Sequence, residues 1–226
     1  MRHLILTLGL LSACDVDINS HGDNDDDASF ARVDNQSNAR LVLVDRDHWD
    51  HGDASWFVDC DSGDDDDVVL NVDGDLLVIE GDSSDCDVSI VVTGVDSVTL
   101  SGDGDCDADE TLELDDLQLY VRGNGEVHID DLHTDHIGLD LSGTGDVWLA
   151  GESDTADFTI SGNGSLFAGD LVIGDLTIDM SGSGEATVNV TGTISGEVTG
   201  SGTLEILGDP EGDITVTGSG VVIGLD

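Results

Sequence analysis

The residues best suited to chemistry in this sequence are carboxylates. In Ser101–Glu110, SGDGDCDADE, four aspartates (Asp103, Asp105, Asp107 and Asp109) occupy alternate positions. Clustered carboxylates in a loop are what a hard cation such as Ca2+ requires. The match to an EF-hand loop is poor. Counted from Asp103, the sixth residue is Ala108 rather than Gly, and the twelfth is Leu114 rather than Glu. Calcium is therefore a candidate cofactor, set against the commoner use of such runs as solvated turns. Asp61–Asp67, DSGDDDD, is a similar run. Histidines fall into two groups, His128, His133 and His136 in HIDDLHTDH and His48 and His51 in DHWDH. Neither has an established zinc spacing, and surface histidines are expected. Beyond Cys14 the cysteines are Cys60, Cys86 and Cys106. An exported chain would oxidise two of them and leave one over. Cys86 and Cys106, twenty residues apart and both in Asp-Cys-Asp settings, are the preferred pair, with Cys60–Cys86 as the alternative.

The charge balance narrows the function. The 226 residues include 42 Asp and nine Glu but five Arg and no Lys, for a net charge of −46. Such a surface repels phosphate backbones and anionic lipid, which excludes nucleic acid as a partner. It suits solvation in a salty medium that screens self-repulsion. An enzyme acting on acidic polysaccharide would need cations to stabilise an anionic transition state. Arg122 is the only Arg from residue 47 onward, so no enzymatic activity is expected. With 30 Gly and one Pro, and with Asp favoured over Glu, long helices are not expected either.

The first residues, MRHLILTLGLLSAC, combine a short basic start, an apolar run Leu4–Leu11 and small residues. That run is too short to span a bilayer and the right length for a signal segment. Leu11–Cys14, LSAC, resembles the lipobox of bacterial lipoproteins. The resemblance implies removal of residues 1–13 and lipidation of Cys14, so that lipid chains alone attach the protein to a membrane. Residues 14–27, polar and acidic, read as a tether, and residues 28–226 as the folded domain.

The elements that position these groups repeat. Units of the form small-Gly-x-Gly start at Ser101, Arg122, Ser142, Ser161, Ser181, Thr199 and Thr217, spaced by 21, 20, 19, 20, 18 and 18 residues. A fixed period of this size marks a solenoid. Apolar residues alternate before each unit (Leu139/Leu141, Phe158/Ile160, Ile178/Met180) and after it (Val147/Leu149, Leu166/Ala168, Ala186/Val188). Each rung therefore holds at least two short strands with one buried face, joined at a Gly-x-Gly corner. Positive φ at the corner is the expected reason for Gly. The fold class is all-β, a right-handed parallel β-solenoid with rungs of about 18–21 residues. Residues 28–100 read as irregular first rungs and a cap, and residues 101–226 as the regular rungs. The last rung ends at VVIGLD, which leaves a sheet edge and makes head-to-tail self-association an expectation.

Aligned rungs place one outward residue of each in a column: His128, Trp148, Phe167, Thr187, Glu205 and Ile223. In a chain with 4% aromatic residues, His128, Trp148 and Phe167 form a stripe suited to a glycan or a protein ligand, unless another segment covers it. Repeated SGxG units followed by an alternating strand, behind a lipobox, resemble the head GIN domain family, described as autotransporter-adhesin heads. The resemblance covers about Ser29–Asp226. It implies a β-helical envelope protein and carries over no catalytic residue. The reading is a non-enzymatic, lipid-anchored envelope module, periplasmic or surface-exposed, that presents an acidic solenoid for binding, adhesion or scaffolding. The alternative is a cation-stiffened surface protein, and a polysaccharide-acting β-helix enzyme is the remote one.

Overall fold

The computed structural model describes residues 17–18, 30–45, 56–60, 68–81, 86–92 and 94–224. The signal segment, Cys14, His48, His51 and Asp61–Asp67 lie outside the described residues. Every element is a strand. The first nine are β1 (Asp17–Ile18), β2 (Arg32–Asn35), β3 (Arg40–Val44), β4 (Trp56–Cys60), β5 (Val69–Asp73), β6 (Leu76–Glu80), β7 (Cys86–Val91), β8 (Ser97–Leu100) and β9 (Cys106–Ala108). Four long, bent strands follow, β10 (Leu112–Val121), β11 (Val127–Leu141), β12 (Val147–Ile160) and β13 (Leu166–Met180). The last are β14 (Glu185–Val190), β15 (Thr193–Val198), β16 (Thr203–Gly208), β17 (Glu211–Val216) and β18 (Val221–Ile223).

These strands wind into a parallel β-solenoid of about six turns. One side stacks β2, β8, the ends of β10 to β13, then β15 and β17. A second stacks β3, β9, the starts of β11 to β13, then β14, β16 and β18. A third side runs from Leu112–Leu114 through Leu132–Thr134 and Gly151–Ser153 to Leu171–Ile173. Alternation turns every second side chain inward, so equivalent apolar residues meet as columns. Leu100, Val121, Leu141, Ile160, Met180 and Val198 form one such column, each at most 3% exposed. Each Leu, Ile or Val buried in this way contributes about 1.5–3 kcal/mol.

The corners explain the repeated glycines, and not through φ. No glycine of the seven Gly-x-Gly units is among those with positive φ. The constraint is contact between rungs. A Cβ on Gly123, Gly143, Gly162, Gly182, Gly200 or Gly218 would sit at most 2.1 Å from the carbonyl oxygen of the first glycine on the preceding rung. No side chain fits there. The residue between the glycines links the rungs as well. Asn124 Nδ2 donates to Asp103, Thr144 Oγ1 to Asn124 Oδ1, and Ser183 Oγ to Asn163 Oδ1, each at 2.6 Å.

The N-terminal end follows different rules. β2 lies between β6 and β8, and β3 between β7 and β9. Antiparallel partners then cover the outer strands, β5 on β6 and β4 on β7. Asp17–Ile18, within the segment expected to be a tether, pairs with Val69–Leu70. Asn35–Ala39 serves as a corner without glycine beneath Gly102 and Gly104. There the buried Asn35 side chain accepts from the Ser37 amide and hydroxyl and donates to the Ala39 carbonyl.

This arrangement corrects the expected Cys86–Cys106 disulfide. The bond joins Cys60 and Cys86, directly opposed on antiparallel β4 and β7, and Cys106 is a buried free thiol. Twenty residues is one rung only where rungs are regular. Here β3 is inserted between β7 and β9 and separates Cys86 from Cys106 by a whole strand.

Candidate functional site

The stripe expected from the alignment exists in the structure. Register pairs His128 with Trp148 and Trp148 with Phe167 on neighbouring rungs of the second side. His128 and Trp148 stack with centroids 4.2 Å apart and planes inclined by 5°; Trp148 and Phe167 stack at 5.0 Å and 17°. Nearly parallel rings this close cannot lie side by side in one plane, because their edges would overlap. They meet face to face and turn their edges outward. Stacking of this kind contributes about 0.5–1.5 kcal/mol per pair beyond area burial. Trp148, with both faces covered, is half-buried, whereas Phe167 at the end of the stack is 39% exposed.

Two contacts use four of the six ring faces. The outer face of His128 looks toward the Asp107 rung. There Arg40 Nε donates to Asp107 at 2.6 Å, with Asp87 at 3.5 Å and Asp109 at 3.9 Å. These carboxylates hold the Arg40 guanidinium pKa above its ordinary value, the hydrogen bond to Asp107 most of all. That end of the stack adjoins an ion-pair cluster, and the His128 side chain is 37% exposed. The outer face of Phe167 looks toward the small side chain of Thr187 and is open. Along one flank of the stack the outward residues are Asp105, Glu126, Asp146 and Ser165, and His128 Nε2 lies 3.3 Å from Glu126. Carboxylates beside ring edges are favourable, since the edge carries the positive part of the ring quadrupole.

Asp103, Asp105, Asp107 and Asp109 are not brought round one point. Asp103 accepts from Asn124, Asp105 from the Glu126 amide at 2.8 Å, and Asp107 from Arg40. Cys106–Ala108 is strand, so these outward side chains spread along a line instead of curling as a binding loop does. Among the described residues no group of three or more His, Cys, Asp or Glu is placed to hold a metal ion. His133 Nε2 contacts Asp131 at 3.2 Å, and His136 Nδ1 lies 3.0 Å from Thr155 Oγ1. A shallow open groove on the third side is lined by Glu113, Asp115, His133, Asp135, Glu152 and Asp154. The alignment of outward residues did not single it out, although its columns follow from the same period. Burial pushes the Cys106 thiol pKa well up, which makes it an unreactive core residue.

These features define an acidic parallel β-solenoid with an outward ladder of stacked rings. The chain belongs to the family described as "Putative auto-transporter adhesin, head GIN domain", whose profile matches residues 58–210. It is similar in fold to the crystal structure of a "putative adhesin" from Bacteroides fragilis, at 21% identity and a TM-score of 0.76, covering 86% of this chain and 92% of that one. A "putative lipid binding protein" from Parabacteroides distasonis shares 18% identity with a TM-score of 0.67, over 87% and 94% of the two chains. A "putative adhesin" from Parabacteroides merdae shares 16% identity with a TM-score of 0.62, over 87% and 92%. No curated protein matches the chain significantly. Among the described residues no helix is long and apolar enough to cross a membrane.

Proposed function

We propose that this chain is a non-enzymatic cell-envelope protein, anchored by lipid on Cys14, that presents a stiff acidic solenoid for adhesion-type binding. The His128–Trp148–Phe167 ladder is its contact surface. The observation that carries this reading is the ladder itself: three stacked rings facing outward on strands that leave Gly-x-Gly corners packed backbone to backbone on the neighbouring rung. Rigid aromatic groups lose little conformational entropy when they bind, which suits a contact surface. The family description, an adhesin head, supports the same reading. The scarcity of cations argues against turnover of acidic polysaccharide, since Arg122 is the only Arg from residue 47 onward and its guanidinium sits over the Tyr120 ring, 5.2 Å from the centroid.

The test has two parts. The mature chain is incubated with immobilised polysaccharides and with wells coated with collagen, fibrinogen or mucin, and both retention and released reducing ends are measured. Retention without release is expected; steady release of sugar would overturn the non-enzymatic reading, and retention nowhere would overturn the binding role. In cells, Cys14→Ser should move the protein from the membrane fraction to the soluble fraction. Unchanged fractionation would overturn the anchor.

A further inference from the structure

The proposed binding role does not say where on the ladder a ligand sits or what it is. The outer ring face of Phe167, 39% exposed, looks along its column toward the small Thr187 side chain, and that column defines what meets it. Phe167 pairs with Thr187, and Thr187 with Glu205. Phe167 and Glu205 therefore stand two rungs apart, about 9.6 Å between backbones at the usual strand spacing. The short Thr187 side chain forms a floor between them. On the Thr187 strand Glu185 and Asn189 also point outward, one on each side. Leu207 closes one flank: a Cβ built on Gly169 would lie 3.3 Å from both Leu207 Cδ1 and Thr187 Cγ2. The result is a notch about one ring wide, with an aromatic wall, a carboxylate wall and a hydroxyl floor.

Building on the proposed binding role, we infer that this notch binds a non-anionic saccharide ring, neutral or amino sugar. Its C–H face lies on Phe167, and its hydroxyl or ammonium groups donate to Glu205 and Glu185. The chemistry selects this occupant. A sugar ring offers an apolar face and several donors at its rim, which matches one ring face beside two carboxylates. A partner's aromatic side chain would stack equally well but brings at most one donor, leaving a carboxylate desolvated without a partner. Uronic and sialic acids would be repelled by Glu185 and Glu205 and by a chain of net charge −46.

The test is a glycan microarray probed with the full mature chain at physiological salt. Binding is expected on spots ending in neutral or amino sugars and not on those ending in uronic or sialic acid. Thr187→Trp fills the notch and should lower the signal at least about tenfold with an unchanged melt. Glu205→Gln should lower it about tenfold, through loss of a charge-assisted hydrogen bond. Tyr120→Ser, on the first side of the solenoid and away from the ladder, should leave it within about threefold. Preference for acidic glycans, or binding indifferent to Thr187→Trp and Glu205→Gln, would overturn the inference. A silent array, together with protein-coated wells that hold the wild type but not Trp148→Ser, would overturn the notch and leave the binding role standing. Silence in both assays would overturn both.

Discussion

Replacing Gly143 with alanine probes what holds the rungs together. The new Cβ would sit 2.0 Å from the Gly123 carbonyl oxygen and about 3 Å from the carbonyl group of Arg122, all backbone atoms that cannot rotate away. An ordinary C···O contact is about 3.3 Å, so the two rungs must part locally by about 1.3 Å. Three backbone bonds cross that corner: the amides of Ser142 and Gly143 to the Val121 carbonyl at 3.0 and 3.1 Å, and that of Thr144 to the Gly123 carbonyl at 3.2 Å. At about 1 kcal/mol each, their loss costs about 3 kcal/mol. Reduced freedom of the unfolded chain returns about 0.5–1 kcal/mol. The net expectation is about 2–3 kcal/mol of destabilisation. Gly74→Ala is the control, because Gly74 has φ +65° and nothing within 4 Å of a Cβ, so only the backbone conformation is penalised, by about 1 kcal/mol. Urea denaturation followed by far-ultraviolet circular dichroism measures both. If Gly143→Ala proves no more costly than Gly74→Ala, contact between rungs is not why the corners are glycine.

Three further outcomes follow from the same structure. The Cys60–Cys86 bond closes a loop with a sequence separation of 26, so Cys60→Ser/Cys86→Ser should lose about 3 kcal/mol, and peptide mapping should find Cys106 alkylated only after unfolding. Asp175 accepts from the Thr193 hydroxyl at 2.7 Å and the Thr193 amide at 2.8 Å, which hold its pKa below the ordinary 3.8. Its stabilising contribution is complete above pH 3.8 and disappears as pH falls through the lowered value. Thr193→Val should raise the Asp175 midpoint seen by carboxylate NMR, and an unmoved midpoint would contradict the assignment. Thermal melts in millimolar Ca2+ and in NaCl of matched ionic strength should coincide, because Asp103, Asp105 and Asp107 are engaged separately. A calcium-specific rise that Asp105→Asn abolishes would refute that.

Much of this architecture is legible in the one-dimensional pattern. The period of the Gly-x-Gly units placed His128, Trp148 and Phe167 in one column, and the register of β11, β12 and β13 puts them there. What the pattern hides is whatever depends on the neighbouring rung rather than on the residue itself. Gly143 reads as a residue needing positive φ, but its requirement comes from the Gly123 carbonyl twenty residues away. Asn35–Ala39 carries no glycine, yet side-chain hydrogen bonds let it do a corner's work. The cysteine pairing turns on β3 being inserted between β7 and β9, which no local spacing records. Face-to-face stacking of the rings is likewise invisible in a column of letters. It turns ring edges rather than ring faces outward along the stripe.

The most direct test of the central claim compares retention by the ligand panel for the wild type, Trp148→Ser and Tyr120→Ser. Tyr120 is the control aromatic residue, outward-facing on the first side of the solenoid and away from the ladder. Trp148→Ser loses two stacking contacts and should melt lower by no more than about 10 °C, remaining folded, since Trp148 lies outside the core. Binding lost in Trp148→Ser and kept in Tyr120→Ser is the predicted result. Binding kept in both, or lost equally in both, would contradict the assignment of the ring ladder as the contact surface.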